Sequence, residues 1–337
     1  MPILDIFRTD AFGVVSLTDA ILKAPYKPGR IGELKLFKEK GITTTSVAVE
    51  EKAGRLELIQ TSPRGGVGSS IGAQKRTARS FVVPHLEKDS TIMADEVQNV
   101  RAFGSENNTE AVQTLVNERL ADLRAMHEVT LERHRASAIQ GIILDADGSP
   151  IYNLFTEFGV AQQTATLSPD ANTDNGDFLR GEVIAAQRLI ESELGAEPIR
   201  GYRAFCGAQF FDDLRADLGV VETLRRATPT ALLEQEANIR RFTFAGVTWE
   251  EYRGSIGGQD FFADDEAYLF PEGSPSLFST YFAPADFVET VNTIGLPVYA
   301  KAAVDEQFQR WVKLHTQSNP LSLCTRPRAV VKLTIGT

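Results

Sequence analysis

Several groups of residues in this chain have the types that chemistry requires without the spacing. His127-Glu128 opens like a zinc-protease helix, in which a second histidine one turn later completes the metal site. The position four residues after His127 is Leu131, so the second ligand is missing, and His127 and His134 read as surface residues of a helix. Asp145-Ala146-Asp147-Gly148 begins like a calcium loop, but the twelfth position is Thr156, with Glu157 one place late, and both flanks read as strand. A hairpin turn accounts for it. Gly66-x-Gly68-x-x-Ile71-Gly72 misses the dinucleotide fingerprint by one place, and no helix follows to offer its N-terminus to a phosphate. Gly254-Ser255-Ile256-Gly257 lacks the glycine spacing of a nucleophile elbow. Asp264-Asp265-Glu266 has the charge to gather a cation but reads as a solvated acidic turn. No catalytic centre, cofactor or metal site is expected, and the chain is not read as an enzyme.

The elements that would have to position such residues point elsewhere. Asn107 to Gln140 contains no Gly or Pro and is rich in Leu, Glu, Arg and Ala, the composition of a strong helix former. Asn107 with Glu110 three residues on forms a capping box, and Gly141 closes the helix. At about 1.5 Å per residue this is a rod of roughly 50 Å, far longer than a common domain helix. Val112, Leu115, Val116, Leu120, Leu123 and Met126 mark its apolar stripe. Glu118, Asp122, Glu128, Glu132, Arg133 and Arg135 are expected on its wet side.

Ahead of this helix, residues 1–42 alternate short apolar groups with basic ones and read as an extended arm without a core of its own. From Thr43 the pattern turns to period two. Val47, Val49 and Leu56 lead out along a strand and Phe81, Val82 and Val83 return, around a glycine-rich connection too long for a tight turn, whose tip is expected to project and move. A two-stranded hairpin is marginal alone in water and needs a partner. After the helix, residues 142–154 form a second hairpin. A mixed α+β block follows, with a polar connector at 161–176, a helix over 177–194, a strand at 202–206, a helix at 208–218, and strands near 242–245, 247–252 and 267–270. The tail from Phe308 to Ile335 reads as strand again, interrupted by Pro320 and Pro327.

Composition sets the class. The chain has 337 residues, is 42% hydrophobic and 24% charged, and carries a formal net charge of -10. That is an ordinary globular balance, with acidity that argues against tight nucleic-acid binding. No apolar run is long enough to span a bilayer, and the first residues lack the basic-then-apolar pattern of a signal peptide, so synthesis in the cytoplasm is expected. Cys206 and Cys324, the only thiols, read as buried small hydrophobes.

An arm, a glycine-tipped hairpin, one very long helix and an α+β block, in that order, resemble the major capsid proteins of tailed bacteriophages, whose architecture is the Hong Kong 97 fold. The sharper likeness is local. Phe205-Cys206-Gly207-Ala208-Gln209-Phe210-Phe211-Asp212, Tyr281-Phe282-Ala283-Pro284-Ala285-Asp286, Gln317-Ser318-Asn319-Pro320-Leu321 and Arg326-Pro327 look like the signature segments of the lambda-type major capsid family. The resemblance implies an α+β chain divided into an N-terminal arm (1–42), an extended loop (43–92), a peripheral domain with its spine helix (93–162), an axial domain (163–299) and a return to the peripheral domain (300–337). It implies subunits that form pentamers and hexamers and close an icosahedral head, made in the bacterial host cytoplasm, around double-stranded DNA that is not specifically bound. Separate scaffolding, decoration and portal proteins are open as partners, since no long charged coiled coil precedes the arm. Two competing readings are an encapsulin-like nanocompartment shell and a soluble α+β enzyme with an acidic metal site at Asp264, Asp265 and Glu266.

The charge map suggests how subunits meet. Residues 58–86 hold Arg64, Lys75, Arg76 and Arg79 and no acid, whereas residues 87–162 hold thirteen acids and six bases, and residues 163–299 twenty-two and ten. The basic loop of one subunit is therefore expected to lie over its neighbour's acidic helix face at Glu118, Asp122, Glu128 and Glu132. Val47, Val49, Leu56 and Phe81 would supply the apolar contact beneath.

Overall fold

The computed structural model describes residues 13–23, 29–52, 76–98, 108–169, 177–195, 197–227, 240–256, 258–274, 276–308 and 310–336. The long helix runs over Asn108–Gln140 and ends at Gly141, whose φ of 85° is open to glycine at little cost. The Asn107 cap lies outside the described residues. The helix serves two cores in succession. Its first half lays Val116, Leu120 and Leu123 against Leu17 and Ile21 of a helix over Val14–Lys23, and against the inner face of a three-stranded sheet. That sheet is ordered Tyr299–Val304, Trp311–Ser318, Leu86–Met93, antiparallel throughout. Ile92, Ala300, Val312 and Leu314 are its inward side chains, as period-two alternation requires. The arm is thus helical over residues 14–23, not extended. Its apolar spacing is too short to read as a helix until the long helix supplies the other half of the core.

The second half of the long helix is buried nearly all round. Ala136, Ala138 and Ile139 join the main core, and the small side chains let neighbours come close. His127, Glu128, Glu132, His134 and Arg135 are also buried. This corrects the expectation of a wet face at Glu128, Glu132 and Arg135 and of surface histidines. Met126, placed on the apolar stripe, is 51% exposed instead.

The main core sits on a six-stranded sheet ordered Gln163–Leu167, Val331–Ile335, Glu266–Glu272, Gly201–Cys206, Val247–Glu251, Arg241–Phe244. Trp249, Phe205, Phe210, Phe211, Phe244, Phe262 and Phe270 fill it. The Asp177–Leu194 helix packs on the sheet with Leu179, Val183, Ala186 and Ile190 inward. Two of its strands come from unexpected places. Residues 163–167, read as part of a polar connector, form a strand parallel to Val331–Ile335, so the end of the chain completes the sheet of the middle block. A helix over Leu218–Ala227 also follows the Ala208–Ala216 helix, in a stretch that had no assigned element. A second three-stranded sheet ties the arm to both halves: Lys38–Gly41 runs parallel to Phe278–Phe282, which pairs antiparallel with Pro320–Cys324. Among the described residues no helix is long and apolar enough to cross a membrane.

Both cysteines are fully buried. Burial pushes the Cys206 thiol up, and that of Cys324 up to about 12, so neither forms the reactive thiolate at neutral pH. Ellman's reagent should label neither thiol of the native protein and both after denaturation. Rapid labelling of the native protein would contradict this packing.

Candidate subunit interface

The described residues hold no group of three or more His, Cys, Asp or Glu side chains placed to bind a metal. Asp264 and Asp265 are exposed, while Glu266 accepts hydrogen bonds from Lys332 Nζ and from Tyr268 Oη, at 2.5 and 2.8 Å. Asp145 to Ser149 is a hairpin turn in which Asp147 Oδ1 accepts from the Ser149 amide and hydroxyl at 2.8 and 2.6 Å. These bonds hold the Asp147 carboxyl below its usual value. Ser255 lies in a two-residue ribbon, Ser255–Ile256 paired with Gln259–Asp260. The Asp147 and Glu266 carboxylates are thus engaged in hydrogen bonds within the fold.

The hairpin begins with Ser46–Lys52 and Arg76–Val82, antiparallel, with Val47 opposite Phe81. Both of these side chains are buried in their own subunit. The Phe81 ring stands edge-on to Tyr152 at 5.4 Å and tilts against Phe158 at 5.9 Å. Tyr152 Oη donates to the Val82 carbonyl and accepts from its amide, both at 2.9 Å. Val49 is half-buried on the same core. The Arg79 guanidinium lies 5.6 Å from the Phe158 ring centre, held by cation–π attraction. Val47, Phe81 and Arg79 therefore root the hairpin on the subunit's own Leu154–Phe158 helix, and the burial of Val47 and Phe81 corrects their placement in a contact with a neighbour. That helix is capped by Asn153 Oδ1, which accepts from the amides of Phe155 and Thr156 at 3.0 and 3.2 Å. Leu56, Arg64 and Lys75 lie outside the described residues. Arg76 pairs with Lys52 in the strand. Of the acidic four, Glu118 and Asp122 are exposed; Glu128 and Glu132 are not.

The burial of those two carboxylates exposes a set of contacts that sequence reasoning missed. Glu132 Oε1 accepts from the Ile31 amide at 2.5 Å and from Tyr252 Oη at 2.8 Å, and Oε2 accepts from the Gly32 amide at 3.1 Å. It thus takes up amides at the start of the short Arg30–Glu33 helix, whose own N-cap residue, Gly29, has no side chain to cap it. A side chain at Gly29 would run into the Glu132 carboxylate, its Cβ 2.2 Å from the carboxyl carbon. Burial, and then the adjacent Glu132, push the Tyr252 phenol up, so it remains a donor. Two turns earlier Arg124 does the converse: Nη1 donates to the carbonyls of Ile21 and Leu22, both at 2.6 Å, at the C-terminal end of the Val14–Lys23 helix. Nε of the same residue pairs with Glu128 at 2.5 Å. Arg135 reaches Glu39 Oε1 at 2.6 Å and lies over Phe37 at 5.7 Å. The long helix therefore holds the arm at three heights, through the half-buried Arg124 and the buried Glu132 and Arg135. The spacing of 124, 128, 132 and 135 along one face was the available signal, but nothing local told that the partners lie about a hundred residues away.

Glu132→Ala should leave the buried Ile31 amide and the half-buried Gly32 amide without an acceptor and cost about 2–3 kcal/mol. Hydrogen exchange at Ile31 and Gly32 should then accelerate; unchanged exchange there would rule out the clamp.

Comparison with known proteins agrees with this architecture. The major capsid protein of Pseudomonas phage KPP10 is 28% identical, covering 95% of this chain and 96% of its own. The major capsid protein of Salmonella phage Felix O1 is 23% identical, with 95% of each covered. Among solved structures, the putative capsid protein of a prophage of E. coli CFT073 superposes with a TM-score of 0.53 at 12% identity, covering 96% of this chain and 99% of that one. The capsid of cyanophage P-SCSP1u gives 0.52 at 13% identity, covering 93% and 90%. At such identities these two show the fold alone, the Hong Kong 97-like capsid fold. The family model described as phage major capsid protein E matches residues 13–335, and the chain belongs to that family, a virion structural protein that forms the phage head shell.

Proposed function

We propose that this chain assembles through pentamers and hexamers into an icosahedral head that encloses the phage genome without binding it specifically. Assembly takes place in the bacterial cytoplasm, and the chain itself catalyses nothing. In this reading the hairpin, rooted on its own subunit by Phe81 and Tyr152, carries Arg64, Lys75 and Arg76 outward to the exposed Glu118 and Asp122 of a neighbour's long helix. The observation that carries it is the division of the hairpin into an apolar root turned inward and a basic remainder with no acid among residues 58–86. Separate scaffolding, decoration and portal proteins fit the same reading as further partners.

Each exposed charge pair is worth about 0–1 kcal/mol, so these charges set partner and register while apolar burial carries most of the affinity. Negative-stain microscopy of the purified protein should show closed shells or rings; dispersed single particles under every assembly condition would overturn the proposal. Reversing Arg64, Lys75 and Arg76 to Glu should impair assembly more at low salt than at high salt, because ions screen repulsion as they screen attraction. Arg79 is left out of the test because it stacks on Phe158 of its own subunit. Normal assembly of the triple variant at low ionic strength would rule out the electrostatic contact.

A further inference from the structure

Four large apolar side chains lie exposed within nine residues of one another: Val288 at 89%, Val291 at 64%, Ile294 at 68% and Leu296 at 37%. Most other exposed apolar residues, such as Val15, Phe178, Leu218 and Phe308, are spread singly along the chain, as is normal for any protein surface. A run of four is not.

This segment is held rigidly from beneath. Val288–Thr290 is a turn of 3-10 helix, in which positions three apart are eclipsed, so Val288 and Val291 share the outward side. Thr290 points the other way, is buried, and donates its hydroxyl to the Ala285 carbonyl at 2.7 Å. Thr293 Oγ1 donates to the Thr290 carbonyl at 2.7 Å. The Gly295 amide donates to Ile42 O at 2.8 Å, and the Leu296 amide to Tyr299 Oη at 2.8 Å. A Cβ at Gly295 would stand 2.0 Å from the Phe282 carbonyl oxygen, so only glycine allows the backbone to seat so closely. Every anchor points in, and the apolar side chains point out in one fixed arrangement, which lowers the ordering cost of a contact.

The charge around the segment says what covers it. Between residues 287 and 297 the only charged side chain is Glu289, and Lys301 Nζ neutralises it at 2.9 Å. The 163–299 block holds twenty-two acids to ten bases and the whole chain carries -10, so exposed acidic stretches of the block repel a second copy. This patch does not.

We infer that residues 288–296 form an apolar contact with a second copy of this chain in the shell. The inference rests on the assembly reading above and adds to it a surface distinct from the basic hairpin. The test is the double variant Val291→Asp/Ile294→Asp in the full chain, assembled in parallel with wild type. Both side chains are mostly exposed, so the melting temperature of the unassembled variant should match wild type, while its yield of closed shells should fall at least tenfold. Wild-type shells together with variant shells at equal yield overturn the contact, including the case in which the patch serves a different partner protein. Absence of wild-type shells would overturn the assembly reading itself, and this contact with it. Where the Asp variant fails to fold, Ile294→Cys carrying a benzophenone maleimide decides: irradiating assembled shells should give covalent subunit dimers, because the photo-activated group inserts into any C–H bond of the copy it touches, and Cys206 and Cys324 are buried and stay unlabelled. Monomer alone after that treatment overturns the inference.

Discussion

Glu250→Ala should destabilise the subunit by about 3–5 kcal/mol, the range for removing one partner of a buried ion pair. Glu250 is buried in the six-stranded sheet, one strand from the equally buried Arg203. Its Oε2 accepts from Arg203 Nη1 at 2.5 Å and from Arg30 Nη2 at 3.3 Å, and its Oε1 from Arg30 Nε. Arg203 Nε in turn bonds Glu272. One carboxylate therefore serves a guanidinium of the sheet and one of the arm, and its bond to Arg30 pushes that guanidinium further up. Deleting it leaves Arg203 buried with Glu272 alone and releases Arg30. Glu250→Gln, which keeps shape and loses charge, should cost less. The pair Arg203→Met/Glu250→Leu should recover much of the loss, because well-packed apolar groups replace a buried ion pair at little net cost. Urea denaturation of the unassembled protein measures all three. A Glu250→Ala loss below 1 kcal/mol would mean that water reaches the site and the network is not buried in solution.

How much of this was legible depended on how local the cause was. The long helix, the 142–153 hairpin and the Asp177–Leu194 helix rest on propensity and caps within their own residues, and the sequence places each within one residue or so. The strand at Gln163–Leu167 buries only Leu167; it exists because Val331–Ile335, from the far end of the chain, pairs with it. Glu132 has the same cause. In a helix read by periodicity it is a solvated acid, and only the arm amides of Ile31 and Gly32 and the Tyr252 hydroxyl make it a buried acceptor. Phe81 and Val47 read from sequence as apolar contact for a neighbour, but the choice between their own subunit and a neighbour is made by Tyr152 and Phe158, about seventy residues on. The Val14–Lys23 helix likewise needs Leu120 and Leu123 across from it. The polar residues that tie the elements together share one face of the long helix, but their spacing does not name their partners, because one carboxylate with remote partners looks like any solvated one.

The largest effect is expected from acid. His127 and His134 lie one heptad apart on the long helix, 5% and 1% exposed. The Thr316 hydroxyl donates its one hydrogen to the Lys88 carbonyl at 2.8 Å, so at 2.9 Å it accepts from His127 Nε2, which fixes the neutral tautomer with the proton there. Among the described residues His134 has no hydrogen-bond partner on either ring nitrogen. Desolvation is the first cause in both cases and lowers each pKa to about 4. The charge of His315 acts in the same direction on His127, while at His134 Asp145 opposes the shift and Arg133 adds to it. In the unfolded chain each titrates near 6.5. Between about pH 6.5 and 4 the unfolded state binds more protons than the folded one, so stability rises with pH across that window and falls as acid is added. A shift of this size corresponds to about 3 kcal/mol per histidine, or roughly 6 kcal/mol for the two, absent at pH 7 and complete only near pH 4. Thermal or urea unfolding of the unassembled protein from pH 7.5 to 4.5 should show that slope before most carboxylates begin to protonate. His134→Leu should remove about half of it and, by replacing an unsatisfied buried ring with an apolar side chain, equal or exceed wild type at pH 7. A His134→Leu slope identical to wild type between pH 6.5 and 4.5 would show that this ring is hydrated in solution and does not resist protonation.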